Sequence, residues 1–374
     1  MSTTSVSMQV PYISLGLQHK EIKAEILERI GKLLDSGQFI MGEELADFEK
    51  RFAELCGVKY ALGLANGTDA LFLAMMALNI GKGDEVITAP NSYLASASSI
   101  AIAGATPVFA DVLDDFNLDP AKVEAAITPR TKAIIAVHLT GRPAKMEELL
   151  AIAKKHNLHI IEDCAQAIGA AYDGKSVGTF GTFGCFSLHP LKNLAACGDG
   201  GVITTNDDKL FTHLQKARNH GLRSRDECEF WSFNSRLDNL QAAILNVKLN
   251  ELEKWTNRRR AIAAVYQNKL AGVGDLIVPQ DAAKEKAVYH TFIIQTSKRD
   301  ALKQHLTDHG IDCKVHYPVP IHLQEAAKYL NYKKGDFPVT ERHTDTMMSI
   351  PVFAELTDEQ VNYVADTIVN FFKA

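Results

Sequence analysis

Ala133-Ile-Ile-Ala-Val-His-Leu139 and His159-Ile-Ile-Glu-Asp163 enclose a segment, Lys145 to His156, with a helical apolar pattern. Residues 133–137 are apolar without alternation, as in a strand covered by helices on both faces. A strand, a helix and a second strand at this spacing read as a βαβ unit, and hence as a parallel pair. Similar units extend outward from it. Tyr60–Ala65, Val86–Pro90 and Pro107–Val112 read as strands, and Gly67–Ile80, Tyr93–Ala103 and Asp119–Ile127 as helices. The fold class expected is α/β, with a mostly parallel sheet flanked by helices.

The chain of 374 residues is too long for one core of usual size. From Asn239 to about Leu270 a long helical pattern carries Leu240, Ile244, Val247 and Leu252 on an apolar face, and reads as a connecting helix. Beyond it, strand-like His290–Gln295 and helical Arg299–His309 and Asp358–Phe372 suggest a compact α+β unit. The expected division is a large domain over 1–250, with the first ~15 residues free to pack elsewhere, and a smaller C-terminal domain over 251–374.

Composition is that of an ordinary soluble protein: 46% hydrophobic, 23% charged and a net charge of −5. No single-sign block points to nucleic acid or a membrane, and the longest apolar runs, such as Ala70 to Leu78, fall far short of a span. The start, MSTTSVSMQVPY, lacks a basic segment followed by an apolar signal core, so a cytoplasmic location is expected. The six cysteines are scattered without a CxxC, which suggests neither a disulfide framework nor a zinc site. No metal is expected.

In an open α/β sheet the ligand lies outside the carboxyl ends of the strands. Three stretches there carry chemistry. Asn66-Gly-Thr-Asp-Ala-Leu71 opens a helix, where Gly67 permits close approach and the first-turn N–H groups with the Thr68 hydroxyl form an anion site; Thr68 or Asp69 could instead only cap the helix. Ile160-Ile-Glu-Asp-Cys-Ala-Gln-Ala-Ile-Gly169 ends an apolar strand in two carboxylates, a costly placement without donors or a cation. Asp163 there either caps the next helix or holds a protonated heterocyclic nitrogen. Cys185-Phe-Ser-Leu-His-Pro-Leu-Lys-Asn-Leu-Ala-Ala-Cys-Gly-Asp-Gly-Gly201 sets Lys192 among apolar and small residues, the setting of a lysine that forms Schiff bases. A phosphate cradle, a pyridinium-holding aspartate and a Schiff-base lysine match the three handles of pyridoxal 5′-phosphate (PLP). The Gly198–Gly201 turn reads as the reversal into strand Val202–Thr205.

At these residues the chain resembles the PLP-dependent sugar aminotransferases of fold type I, the DegT/DnrJ/StrS-type family. The resemblance runs from Pro11-Tyr-Ile-Ser-Leu15 through Ser36-Gly-Gln-Phe-Ile-Met-Gly42 and the three stretches above. It continues through Asn234-Ser-Arg-Leu-Asp-Asn-Leu-Gln-Ala-Ala-Ile244 to His316-Tyr-Pro-Val-Pro320 and Gly335-Asp-Phe-Pro338. It implies that Lys192 is the Schiff-base lysine and proton shuttle, that Asp163 keeps the pyridine nitrogen protonated, and that Gln166 faces the ring near its 3′ oxygen. By the same resemblance Tyr93 stacks on the cofactor, its alternative being a core aromatic. Gly67, Thr68 and Ser187 would hold the phosphate, and Asn234 would reach it from the partner subunit of a homodimer with shared sites. His316 and Tyr317 would lie near the substrate mouth. His189 is read as a packing or substrate-side residue, and Arg236 as a partner of Asp238.

The activity implied is transfer of an amino group from L-glutamate to a keto or aldehyde sugar, in making an amino sugar for a cell-surface polysaccharide such as lipopolysaccharide. A nucleotide-linked sugar is favoured, with His213, Arg218, His220, Arg223 and Arg225 as diphosphate candidates. A free or acidic oxidised sugar, of the octulosonate type, is the alternative substrate. Two other readings are a PLP-dependent sugar dehydratase, which a branch of the family achieves with histidine where this chain has Lys192, and a non-catalytic sensor that keeps the fold.

Overall fold

A computed structural model describes residues 8–373; the first seven residues of MSTTSVSMQVPY, read above for targeting, lie outside the described residues. The main sheet has seven strands: β1 (Tyr60–Leu64), β2 (Glu85–Thr88), β3 (Thr106–Phe109), β4 (Thr131–Val137), β5 (His159–Asp163), β6 (Phe183–Ser187) and β7 (Gly201–Thr205). Their order across the sheet is β1-β7-β6-β5-β4-β2-β3. All pairings are parallel except those of β7, which runs against β1 and β6. This is the α/β sheet expected from the sequence.

Helices α1 (Leu15–Ser36) and α2 (Glu43–Cys56) precede the sheet. Helices α3 (Gly67–Ala77), α4 (Ala95–Ile102), α5 (Pro120–Ala125) and α6 (Met146–His156) connect successive strands, and α7 (Asp208–Ala217) follows β7. The unalternating run in β4 has its explanation here. Ala133, Ile135 and Val137 bury against residues of α3 and α4, including Leu71, Leu73 and Ile100. Ile134 and Ala136 face the other way, into a cluster with Met146, Leu149 and Ile152 of α6.

Helix α8 (Asn239–Leu270) runs for 32 residues without a glycine or proline to break it. Its first half packs Ile244, Val247 and Trp255 on Ile22 and Ile26 of α1, and Leu245 and Leu252 into the core that holds Phe52 and Phe186. Its second half turns Ile262, Ala263, Tyr266 and Leu270 into a separate core. That core is covered by β8 (Phe292–Gln295) paired antiparallel with β9 (Met347–Ile350), and by α9 (Arg299–Asp308) and a terminal helix (Asp358–Lys373). Val10 joins it too, bridging to Ile311, so the chain start packs on C-terminal residues. All six cysteines are free. Among the described residues no helix is long and apolar enough to cross a membrane.

Candidate active site

A cavity of about 670 Å³ opens at the carboxyl ends of the strands. Almost every residue singled out from the sequence lines it: Gly67 and Thr68 after β1, Tyr93 after β2, Asp163 and Gln166 after β5, Ser187, His189 and Lys192 after β6, and His316 and Tyr317. Asn234 does not line it. It is exposed, with its backbone bridged to Asn219.

Strand alternation sends the two carboxylates at the end of β5 to opposite faces. Glu162 is fully buried and accepts from the backbone N–H groups of Gly178 (2.7 Å), Phe180 (2.7 Å) and Gly181 (2.8 Å). His138 completes the set: its Nδ1 accepts from Ala144 N at 2.9 Å, so its Nε2 carries the hydrogen and donates to Glu162 at 3.1 Å. Glu162 is therefore satisfied and structural. Asp163 faces the cavity, where Ser96 Oγ donates to Oδ2 (2.7 Å) and Ala165 N to Oδ1 (3.2 Å). It caps no helix, because turns rather than a helix follow β5. Two accepted hydrogen bonds leave lone pairs on this carboxylate for a further donor such as a protonated ring nitrogen.

Lys192 sits in the loop between β6 and β7, its N–H bonded to His189 O at 2.8 Å. Burial lowers its pKa from the ordinary lysine value to about 8, with the charge of Asp163 acting in the opposite sense. The lowered value raises the fraction of free amine near neutral pH, which a nucleophile and proton carrier requires. The Gly198–Gly201 reversal leads into β7 as read from the sequence.

At the α3 end the N-cap is Asn66, whose side chain accepts from Asp69 N at 2.9 Å. Neither Thr68 nor Asp69 caps, and the Asp69 carboxylate instead accepts from Ser235 Oγ at 2.7 Å. The N–H groups of Gly67 and Thr68 are free of intrahelical partners and face an anion-binding position. Gly67 is required by packing: a Cβ there would lie 2.8 Å from Ser187 Cβ and 3.0 Å from its Cα. The glycine draws Ser187 against the helix start. Lysine, aspartate and this cradle fit PLP, with Lys192 to bond it, Asp163 to meet its ring nitrogen, and Gly67, Thr68 and Ser187 to hold its phosphate.

Tyr93 is 56% exposed and lies 5.8 Å, ring to ring, from Tyr317; it is no core residue. Gln166 is held on both sides, accepting from Thr140 N at 2.7 Å and donating to Tyr317 OH at 3.4 Å. His316 bonds Ser349 Oγ at 3.0 Å, and burial with the charge of Lys192 lowers its pKa to about 4, so it is neutral. His189 is exposed and accepts from Leu191 N at 3.3 Å.

Other expectations fail. Arg236 donates to Asn219 Oδ1 at 2.7 Å and does not pair with Asp238. Arg218 is buried, paired with Glu49 and bonded to Gly63 O, so it is not free for a diphosphate; His213 stacks on Phe230. Sequence reasoning also missed Ser92, Ser96, Arg259, His290 and Thr291. The two serines precede or sit within a helix otherwise read for packing; Arg259 lies on the connecting helix and His290 and Thr291 at a strand start, both read only for their apolar pattern.

The fold and this cavity define a fold type I PLP enzyme, an aminotransferase. The chain belongs to the DegT/DnrJ/EryC1/StrS aminotransferase family, whose sequence profile matches residues 20–369. It is 45% identical to a pleiotropic regulatory protein of Geobacillus stearothermophilus, over 98% of this chain and 99% of that one. It is 44% identical to the UDP-N-acetyl-3-dehydro-alpha-D-glucosamine 3-aminotransferase of Acidithiobacillus ferrooxidans, over 96% and 97%. Among solved structures, DesV of S. venezuelae in complex with a ketimine intermediate superposes with a TM-score of 0.96 at 41% identity, covering 98% of this chain and 99% of that one.

Proposed function

We propose that the chain transfers an amino group from L-glutamate to a nucleotide-linked keto sugar, making an amino sugar for a cell-surface polysaccharide or other glycoconjugate. The observation that carries this reading is the single cavity shared by the depressed-pKa Lys192, the cavity-facing Asp163 and the α3 cradle. The sugar class is supported by relatives named for UDP- and dTDP-linked sugars.

PLP, when bound, supplies an electron sink for the carbon that gives or receives nitrogen. Lys192 Nζ takes the proton from that carbon and returns it, and Asp163 keeps the ring nitrogen protonated. Gln166 would flank the ring, and Tyr93, exposed at the cavity, would stack on it. His316 and Tyr317 form the substrate side. Asn234, exposed and away from its own cavity, serves the second site of a homodimer, which makes the dimer the smallest active unit.

The test is spectroscopic. L-Glutamate should bleach the colour of the PLP-loaded protein, and an amino sugar from a panel of nucleotide-linked and free compounds should bleach it in the reverse direction. Bleaching by free sugar acids alone would move the substrate to that class, and release of ammonia from a deoxygenated sugar would make the enzyme a dehydratase. The regulatory name of one relative favours a second reading, a sensor without turnover. A protein that binds PLP but is bleached by neither substrate class would support it.

A further inference from the structure

A second cavity, of about 230 Å³, lies between residues 114–142 and residues 277–295. Three residues that line it, Phe116, Thr140 and Tyr289, hold left-handed backbone at φ of 72°, 65° and 48°. Elsewhere among the described residues the non-glycine positions of this kind are chiefly asparagine or aspartate, which tolerate it. Bulky and β-branched residues do not, and such strain persists where the surroundings impose it, as at ligand sites.

Arg142 lines this cavity and is 8% exposed. Its buried Nη2 has no hydrogen-bond partner, and the carboxylates of Glu285 (3.3 Å) and Asp281 (3.7 Å) approach the guanidinium only as ion pairs. The Thr291 hydroxyl, from a residue that lines both cavities, is also buried without a partner. Opposite in charge is Asp115, whose carboxyl is pushed up by burial and whose ion-pair partner Lys145 stands 3.8 Å away. Much of the remaining lining is apolar, with Ile277, Val278 and Ile293. An anion here would meet the guanidinium but also Asp114 and Asp115, and a cation would leave Arg142 unfilled. A molecule that carries both charges satisfies both. The volume is several times the ~30 Å³ share of one water molecule, the scale of valine.

We propose that this cavity is a second ligand site, for a small α-amino acid with an apolar side chain. Its carboxylate meets Arg142 and the Thr291 hydroxyl, its ammonium meets Asp115, and its side chain packs on Ile277, Val278 and Ile293. Thr140 links this site to the first cavity: its N–H donates to Gln166 Oε1 at 2.7 Å, and its carbonyl accepts from Thr291 N at 3.4 Å. The neighbouring Gly141 has no slack, since a Cβ there would lie 2.9 Å from Gln166 O and 2.8 Å from Val288 Cγ2. A ligand that fixes residues 140–142 therefore alters how Gln166 is held, and the two cavities share a coupling free energy. The binding is independent of the transamination proposed above; the coupling rests on the cofactor site of that reading.

The experiment uses the whole protein loaded with pyridoxamine 5′-phosphate, which has no aldehyde for an amino acid to condense with, and L-valine as the probe in isothermal titration calorimetry. Wild type should bind one L-valine per chain, with isovalerate, which lacks the ammonium, and isobutylamine, which lacks the carboxylate, each bound about tenfold or more weakly. Ile277→Trp fills the cavity from a position that is 60% exposed, and Arg142→Gln removes the guanidinium. Each should weaken valine about tenfold or more and leave the cofactor's own Kd within about threefold of wild type. Saturating valine should shift the cofactor Kd of wild type by about threefold or more and leave that of Ile277→Trp unmoved. No valine binding, binding that survives Ile277→Trp, or either analogue bound as tightly as valine overturns the site, and an unmoved cofactor Kd in wild type overturns the coupling. If Arg142→Gln does not fold, Ile277→Trp decides by the same criteria. Valine bound by a protein that takes up no cofactor supports the site and overturns the cofactor reading instead.

Discussion

Ser96 Oγ donates a 2.7 Å hydrogen bond to Asp163 Oδ2, and the Ser92 hydroxyl lies 2.8 Å from Ser96 in turn. Two residues at the start of α4 therefore orient a carboxylate at the end of β5. Hydrogen bonds to charged groups contribute about 1.5–3 kcal/mol, so Ser96→Ala should slow the glutamate half-reaction about tenfold or more. Single-turnover bleaching measures it. An unchanged rate would mean that Asp163 needs no such support.

Asp163→Asn and Glu162→Gln should separate function from stability, although the residues are adjacent. Glu162→Gln places an amide NH2 against backbone donors and should cost about 3 kcal/mol in denaturant unfolding. Asp163→Asn should fold nearly as well and lose most of its turnover. Similar unfolding curves for the two variants would contradict the division.

Lys192 should govern PLP uptake by the apoprotein. Its pKa falls on folding to about 8, so the uptake rate should rise with pH through that value as the free amine appears. Between pH 8 and the ordinary lysine value the unfolded chain holds the extra proton, so the cost of burying this charge is full below pH 8 and is relieved as pH rises. Removing the upward pull in Asp163→Asn should move the uptake midpoint to lower pH, as stopped-flow absorbance across pH 6–9 would record.

Gly67→Ala should weaken PLP binding rather than turnover by bound enzyme. The new Cβ meets Ser187 at 2.8 Å to Cβ and 3.0 Å to Cα, so helix start and strand end must part. Overpacking of this kind costs about 1–3 kcal/mol, or roughly a tenfold rise in Kd by absorbance titration.

Lys192→Ala and Asn234→Ala should complement each other. If each site takes Asn234 from the partner, random reassortment of the two inactive homodimers gives mixed dimers with one intact site, and about a quarter of wild-type activity. No recovery after verified subunit exchange would place Asn234 outside the partner's site.

The strands and most helices of the main sheet could be read from the sequence because their burial pattern is local: β4 shows two buried faces in five consecutive residues. Gly67, Asp163 and Lys192 were legible because they lie near strand ends where polar or small residues break an apolar pattern, whereas Tyr93, Gln166, Ser187 and Asn234 were named only through the resemblance to a known family. Helices α1 and α2 went unread although their buried residues recur at helical spacing, Leu45, Phe48, Phe52 and Cys56 in α2 and Ile22, Ile26 and Leu33 in α1, because they precede the strands from which the reading worked outward. Thr291 was not legible because a buried hydroxyl without a hydrogen-bond partner appears only once its neighbours are in place. Arg218 was misread on the same ground, since its pairing with Glu49 appears only in the folded chain.

The back-to-back arrangement of Glu162 and Asp163 also constrains how this enzyme can change. Deleting or inserting a single residue within β5 would exchange the two positions, turning one carboxylate away from the cavity and the other away from the Gly178–Gly181 turn that needs it. Homologues can therefore drift in loop length on either side of the strand, but the phase of the strand itself is part of the catalyst, and a frame change of one residue would remove activity while leaving every functional side chain in the chain.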